Sequence, residues 1–572
     1  MVRGLVLRAY ISAMREGGTR AQGPLERLLA ARVGRDVEIE RTAPGAPAEF
    51  RFDARPLCGD RPSREELRKL AAECEAVPGV EAAIAIPPRV YLRPDTASLV
   101  GGVVDAVAAE GRRYGWRPAA AVGEPVISSI GCPNANKPLH IGHLRNCFLG
   151  MVVSRLFETQ GHDVLRTEEL ANYGIHICQA LVAYQRWGEG LDPVAARRKP
   201  DHFVGDFYTR FHRERAQRDD LDAAASDLLL RMDAGSEDDL AVNETFTEWA
   251  IDGIRQTYER IGLRHDFVLR EWEALPIALE LIDAGLETGV CRRRPDGSVY
   301  ADLTDCGLGE VTLLRRDGTA LALVCFVAIW VRRAQLHPGH RVIRVTGEQW
   351  RESFIQFLEI LRRLGHAPTS DLTEGVYYGM IRMPEGKLGS RSGHDAAADD
   401  LLDGYRDRFV AEWAASDGRA LAPYHRETCE RLAVALLKLF ILGKKREDTI
   451  VYDRDAAWDD TAPRMARLLE AQRLAARPGP VGEGALPQAA RELALALNGL
   501  PRAFERGLAR RDSSELVGYA DDVARRAVAC DRAGALSPDL AAAAGVVLRN
   551  ALWALDVELP SSSVELPPSV RR

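Results

Sequence analysis

The sequence predicts an α/β protein whose centre is a doubly wound parallel sheet carrying insertions, with a small α+β domain ahead of it and an all-α domain behind. Three observations predict this. Between about residues 117 and 400, strand-like runs (PVISSI, DVLRTEEL, RVIRVTG) alternate with amphipathic helical runs (LRNCFLGMVVSRLFETQ, ESFIQFLEILRRLG), the pattern that builds parallel sheets. Residues 1–116 mix shorter strand-like segments with helical ones. From residue 401 onward the pattern is helical nearly throughout and rich in Ala, Leu and Arg.

In order, the first block holds DVEIERT, AAIAI and RVYLRP as strands and REELRKLAAECEAV and residues 96–110 as helices, closing in the turn-rich GRRYGWRP. The central block, 117–400, contains the longest apolar run, Leu321 to Val331. That run is about half the ~20 residues a membrane span needs, so it reads as a buried strand or helix. The last block, 401–572, is broken at ARPGPVGEGALP and ends in ELPSSSVELPPSV.

Composition narrows the classes of function. With 46% apolar and 28% charged residues, the chain is neither disordered, collagen-like nor a small disulfide scaffold. Ten cysteines form no CxxC pair, which argues against a zinc ribbon and for reduced thiols. The N-terminus shows charges scattered among apolar residues and no cleavage site, so a cytoplasmic protein without a membrane partner is expected. A net charge of −7 disfavours non-specific coating of nucleic acid, yet allows an enzyme that grips one shaped RNA through local patches. Lysine is scarce, seven in all, so a lysine inside a loop motif stands out.

The chemistry concentrates in ISSIGCPNANKPLHIGHLRNCFLGMVVSRL. A strand-like run stops at a Gly/Pro/Asn cluster, and a long amphipathic helix begins just after His140-Ile141-Gly142-His143. A helix N-terminus offers unpaired N–H groups and the positive end of a dipole, so anions bind there. His140 and His143, at i and i+3, share one side of the first turn and can donate to phosphate. Gly142 leaves room for a flat ring, and Lys137 adds a full charge. These parts can hold a nucleoside triphosphate without a glycine-rich P-loop. A bare HxxH is equally a metal pair or two surface histidines; with no third ligand at a recognisable spacing, no metal site is expected.

The whole string PNxxKPxHxGHLR resembles the first signature of class I aminoacyl-tRNA synthetases, in the form used by arginyl-tRNA synthetases. The resemblance implies a Rossmann-type catalytic domain in which this strand–loop–helix, with Asn134 and Gly142, binds ATP and a lysine placed like Lys137 assists. A second loop, GMIRMPEGKLGSRSG, follows the strand-like GVYYGMI and resembles the family's degenerate KMSKS loop, here 387–391. Lys387 and Arg391 bring charge that can close over a triphosphate and stabilise the leaving pyrophosphate, with Met380 and Ser390 completing the implied ATP site. Ser390 stands where most class I enzymes have a second lysine; the family commonly lacks it, and Lys137 is expected to substitute. The resemblance therefore implies His140, His143, Lys137 and Lys387 as catalytic residues, ATP with Mg2+ bridging its phosphates, an amino acid and tRNA as partners, and a monomer.

The resemblance runs nearly the full length. Residues 1–116 resemble the domain that contacts the tRNA elbow. IRQTYERIGLRHDFVLREWE and Asp317-Gly318-Thr319 resemble an insertion in the catalytic domain, and YDRDAAWDDTAPRMARLLEAQRLA and VVLRNALWALDVELP a helical anticodon-binding domain. The departures fall on substrate surfaces. The implied amino-acid pocket comprises Ser129, Asn134, Tyr173, Ala322, Phe326 and Gln349, and three of these replace family residues: Ser129 a glutamate, Ala322 a tyrosine, Phe326 an aspartate. A guanidinium needs planar carboxylate partners, and a wall of Ala322, Val324 and Phe326 supplies none. Arginine is thus expected to be a poor substrate and a neutral or largely apolar amino acid a better one, unless Glu168, Glu169 or Glu348 restores a carboxylate. Elsewhere the family's YLGDWGTQ reads Glu169 to His176, its GFINF loop reads Pro88 to Leu92, tyrosines near Pro463 read Arg464 and Arg467, and FNSFY becomes Val523 to Val528. Fewer stacking residues imply weaker reading of single-stranded loops, while arginines still hold phosphate. The expected function is an arginyl-tRNA synthetase-like ligase that makes an aminoacyl adenylate and passes it to tRNA or another acceptor, its arginine specificity altered. The alternatives are an ordinary arginine–tRNA ligase and a catalytically silent tRNA-binding or regulatory paralogue.

Overall fold

The structure is a computed structural model that describes residues 39–42, 46–117, 123–384, 386–387, 397–417, 423–476 and 487–560. Strands β1 (Ile39–Arg41), β2 (Phe50–Asp53), β3 (Val80–Ile86) and β4 (Arg89–Pro94) form an antiparallel sheet in the order β1-β2-β4-β3. Helix α1 (Arg64–Glu75) starts at Ser63, whose hydroxyl accepts the Glu66 N–H while the Glu66 carboxylate accepts the Ser63 N–H. That capping box satisfies two donors the helix start would otherwise strand. Leu67, Leu70, Ala71 and Cys74 recur at helical spacing and make the stripe that packs on the sheet. Asp95 caps α2 (Thr96–Glu110) by accepting from the Ser98 N–H.

The central body is built from β5 (Val126–Ser129), α3 (Ile141–Thr159), β6 (Val164–Leu170), α4 (Ile175–Trp187), α5 (Pro200–Glu214), α6 (Asp220–Asp233), α7 (Glu237–Ile261), β7 (Phe267–Arg270) and α8 (Glu271–Thr288). An antiparallel meander follows, β8 (Cys291–Arg293), β9 (Val299–Leu303) and β10 (Gly309–Leu314), then α9 (Ala322–Leu336), β11 (Arg341–Gly347), α10 (Arg351–Arg363) and β12 (Thr373–Tyr378). Five parallel strands run in the order β12-β11-β5-β6-β7. The chain lays β6 and β7 outward from β5 in one direction and later places β11 and β12 on its other flank. The carboxyl ends of β5 and β11 therefore border a topological switch point, where open α/β sheets bind ligands. Short strands β13 (Ile381–Met383), β14 (Gly386–Lys387) and, after helices α11 (Ala398–Asp417) and α12 (Pro423–Leu442), β15 (Ile450–Val451) make a small third sheet of this body. Helices α13 (Arg454–Ala475), α14 (Gln488–Leu497), α15 (Leu500–Arg510), α16 (Ser514–Arg532) and α17 (Pro538–Ala554) complete the described chain.

The apolar run at 321–331 is helix α9, whose Val324, Val327, Ala328, Trp330 and Val331 enter the core with Phe354 and Phe357 of α10. One expectation needs correction. The segment around FVLR is not confined to an insertion: β7 is the edge strand of the main sheet, paired from Thr167↔Phe267 to Leu170↔Arg270, which satisfies its backbone. The chain divides into two compact units, residues 1–118 with 467–506 and 519–551, and residues 119–466 with 507–518 and 552–572. Helix α12 belongs to the sheet-bearing unit because its buried Lys438 donates to the Asp556 carboxylate (2.7 Å) and carbonyl (2.6 Å), and Asp556 also pairs with Arg155 of α3. In the other unit α14 sits against α2, and its buried Arg491 reaches the Glu49 carboxylate and the Pro94 carbonyl, each at 2.8 Å. Among the described residues no helix is long and apolar enough to cross a membrane.

Candidate active site

Beyond β5 the chain turns through Gly131 and Cys132, both at positive φ, and Asn134 then pairs in parallel with Ala171 at the end of β6. This short extension carries the loop to His140, which is the N-cap of α3. The His140 Nδ1 accepts the Gly142 N–H (3.1 Å), and the His143 Nδ1 accepts the His140 N–H (3.1 Å). With both Nδ1 atoms accepting, each neutral ring carries its proton on Nε2 and has that donor left for a ligand. The rings stack with centroids 3.8 Å apart. Burial, then the nearby Lys137, pushes His140 down to about 3, and burial with the His140 and Lys137 charges pushes His143 well below its ordinary value. The pair thus works as two neutral donors. A Cβ on Gly142 would fall 2.9 Å from the His140 Cε1 and 3.1 Å from its Nδ1. Gly142→Ala should displace the ring from its cap and slow exchange of pyrophosphate into ATP about 10-fold, a barrier change of about 1.4 kcal/mol. Alanine at Gly101, where nothing lies within 4 Å of the added carbon, should leave that rate unchanged.

Lys137, His140, His202, Arg210, Arg213 and Asp400 are among the residues lining a cleft of about 450 Å3 beside the histidines. The segment carrying the second motif is anchored here by its backbone: Lys387 of β14 pairs with Arg382 of β13, while Ala397 pairs antiparallel with His140 and the Ala398 N–H donates to the Leu139 carbonyl (2.8 Å). Ser390 and Arg391 lie outside the described residues. Met380 contributes through its carbonyl, which accepts from the Ile450 N–H (2.9 Å). Sequence reasoning missed Arg145 and Asn146. Arg145, fully buried in α3, donates to the carbonyls of Gly379, Asp448, Lys445 and Arg446 at 2.7–3.1 Å, fastening the histidine helix to the strands of the second motif. Asn146 accepts the Gly131 N–H and donates to the Val345 carbonyl, both at 2.7 Å, tying the ends of β5 and β11. The available signal was two polar residues just ahead of the apolar stretch Cys147 to Val153 of this helix.

The implied amino-acid pocket is not apolar. The Ser129 hydroxyl donates to the Glu169 carboxylate (2.8 Å), and Glu169 is gripped by Arg333 on one oxygen and Arg344 on the other. Burial alone would raise Glu169, but Arg344 and Arg333 hold it down at about 2. The Arg344 guanidinium lies over Phe326 (4.9 Å to the ring centre), and Arg333 over Trp330 (4.0 Å). Ala322 is exposed at the start of α9, whereas Val324 turns into the core. Tyr173 is buried with its hydroxyl on Asp233, and Gln349 sits on the exposed turn after β11, folded back over Gly347. None of the three carboxylates considered as substitutes is at hand: Glu168 accepts from Tyr258 (2.6 Å), Glu348 pairs with Arg351, and Glu169 already serves two arginines. Two arginines and a serine fill the place where an apolar wall was expected, because β11 and the far end of α9, distant in sequence from DGT, supply it. Asp201, His202 and Asp399 also converge, but both carboxylates already pair with Lys199, at 3.0 Å from Asp201 and 2.7 Å from Asp399, and Asp399 with Arg260 as well, so they form an ion cluster.

A histidine pair at the switch point of a doubly wound sheet, beside a second anchored motif, defines a class I aminoacyl-tRNA synthetase, an ATP-dependent ligase. Residues 104–453 match the family model for class I tRNA synthetases (R), catalytic domain, and the chain belongs to that family. It is similar to the arginine–tRNA ligase of Treponema denticola, 31% identical over 439 residues, 74% of each chain. It is 35% identical over 349 residues, 58% of each chain, to that of Porphyromonas gingivalis. Its fold is that of Thermus thermophilus arginyl-tRNA synthetase (TM-score 0.66, 18% identity, 95% of this chain and 100% of that one) and of the Plasmodium falciparum enzyme (TM-score 0.67, 12% identity, 94% and 99%).

Proposed function

We propose that this chain condenses an amino acid with ATP and delivers the aminoacyl group to tRNA, by the reaction of an arginine–tRNA ligase. A carboxylate oxygen of the amino acid attacks the α-phosphorus, the bond to the bridging oxygen breaks, and pyrophosphate leaves with its electrons. A ribose hydroxyl of the tRNA then attacks the anhydride carbonyl, gives up its proton and releases AMP. Little covalent help is required; positioning and charge stabilisation suffice. The observation that carries this reading is the stacked pair His140–His143, each with Nδ1 engaged and Nε2–H left to donate, at the head of α3. A decayed paralogue would have no cause to keep that geometry. Mg2+ enters as part of the nucleotide substrate. Pyrophosphate exchange and tRNA charging with the purified chain test the reading, and absence of both with every amino acid would defeat it.

The relatives' likeness supports arginine as the amino acid. The Ser129–Glu169–Arg333–Arg344 cluster favours a second reading, altered specificity, because it already sets two guanidinium groups at the end of the sheet. Among the C-terminal helices, Val523, Ala524 and Ala527 are buried and Arg526 is tied to Asp522 and Glu492, so that stretch offers little to stack on a base. Since Ser390 brings no charge, Lys137 is the residue assigned to the pyrophosphate. Lys137→Ala should slow exchange more than Ser390→Ala, and a silent Lys137→Ala beside a dead Lys387→Ala would refute that assignment.

A further inference from the structure

The cleft beside the histidine pair has a second wall, helix α5. Loop residues 137–140 line one part of it, Ala397 and Asp400 at the start of α11 another, and α5 supplies most of the rest. On α5, His202, Asp206, Thr209 and Arg213 recur at helical spacing and all line the cleft, with Arg210 beside them. Gly205 lets the helix come this close to the loop: a Cβ there would fall 2.7 Å from the Pro138 Cδ and 3.4 Å from the Lys137 Cα. The space of about 450 Å3 is of the size of small-molecule sites, roughly 300–1,000 Å3.

Charge sets the kind of ligand. The walls carry Lys137, Arg198, Arg210 and Arg213 against two carboxylates, Asp206 and Asp400. Arg198 takes Asp206, at 3.1 Å, and Asp400 is exposed. Arg213 meets its neighbour Glu214 at 3.2 Å, but 69% of the arginine side chain is exposed, so solvent makes that pair weak. Arg210 lies over the Trp187 ring, 4.5 Å from its centre, and its Nε is buried without a hydrogen-bond partner. The acids behind His202 are already neutralised, Asp201 and Asp399 by Lys199 and Asp399 by Arg260 too. The cleft therefore has surplus positive charge, and it adjoins His140, whose Nε2–H is left to donate at the head of α3. Two arginines, a lysine and a helix N-terminus around one space suit a multiply charged phosphate chain better than a single carboxylate.

We infer that this cleft is the dock for the departing pyrophosphate, with Arg210 and Arg213 of α5 binding the terminal phosphate while Lys137 and His140 hold the one nearer the reacting bond, a reading that rests on the ligase assignment above. As the bond from the α-phosphorus to the bridging oxygen breaks, its electron pair goes to pyrophosphate, and the two arginines meet the charge at the far end of that group. The same contacts receive pyrophosphate in the reverse reaction.

The test is pyrophosphate exchange by the full chain, with tRNA present and with the amino acid that drives it fastest, at varied pyrophosphate. Arg210→Gln and Arg213→Gln should each raise the KM for pyrophosphate about 10-fold, the scale of losing one charge-assisted hydrogen bond. The KM for the amino acid should stay unchanged, which a merely structural defect would not spare. Arg213→Lys, which keeps the charge, should recover most of the loss, and thermal melts of the variants should match the wild-type chain. A double variant that exchanges like the wild type, or whose defect lies only in the KM for tRNA during charging, overturns the inference and leaves the ligase reading standing. No exchange by the wild-type chain with any amino acid overturns both.

Discussion

Alanine in place of either His140 or His143 should slow adenylate formation about 10²–10³-fold, the scale of losing one oriented donor to developing charge. The argument is one of tautomers. Each Nδ1 already accepts a backbone N–H, which commits Nε2–H to the ligand. Alanine removes both the cap and the donor, and loss of the cap alone costs about 1 kcal/mol of stability. His140→Asn separates the two effects, because it can keep the cap but cannot present the distal donor. It should fold normally and still exchange slowly. The pH behaviour follows from burial. His140 stays neutral down to about 3, so in the unfolded chain it takes up a proton below its ordinary 6.5 while in the folded chain it does not. The unfolded state then binds more protons, and stability falls as pH drops from 6.5 toward 3. Exchange by the double alanine variant at the native rate would remove these residues from the mechanism.

The parts of this molecule that were legible in its sequence are those set by local rules. The alternation of strand and helix fixed the parallel sheet, and the Gly/Pro/Asn cluster before His140 marked a helix start whose caps are the histidines themselves. Domain limits were less legible, since α11 and α12 look like the start of a helical domain. Their membership depends on Lys438 meeting Asp556, 118 positions away. The pocket was least legible. Ser129, Ala322 and Phe326 were visible as departures, but the groups that answer them, Arg333 and Arg344, reach the site from the far end of α9 and from a strand whose sequence, RVIRVTG, reads as an ordinary edge-charged run. Arg145 was hidden for the same reason: its hydrogen-bond partners are backbone carbonyls, and no side-chain pattern announces a carbonyl.

Glu169→Leu should be among the most destabilising single substitutions in the sheet-bearing unit. The carboxylate is fully buried and is the acid common to Arg333 and Arg344, and it accepts the Ser129 hydroxyl as well. Removing it leaves two buried cations facing one another, a loss of about 3–5 kcal/mol for breaking a buried pair, and strands the hydroxyl for about 1–3 kcal/mol more. Restoring charge neutrality should recover most of this. The triple variant Glu169→Leu, Arg333→Leu, Arg344→Met replaces the cluster by apolar groups, and such exchanges are often neutral or stabilising by 1–4 kcal/mol relative to the ion cluster. The single variant should therefore melt at a clearly lower temperature than the triple, the reverse of what additive contacts give. Acid should mimic the single variant in part. Glu169 sits at about 2 in the folded chain against an ordinary 4.5, so its contribution is complete above 4.5 and is lost as pH falls toward 2. Thermal melts of the wild-type chain, Glu169→Leu and the triple variant, each run from pH 7 down to pH 2, decide the matter. If the triple variant is the least stable of the three, the arginines hold the sheet together by their own contacts, and the carboxylate is not what permits their burial.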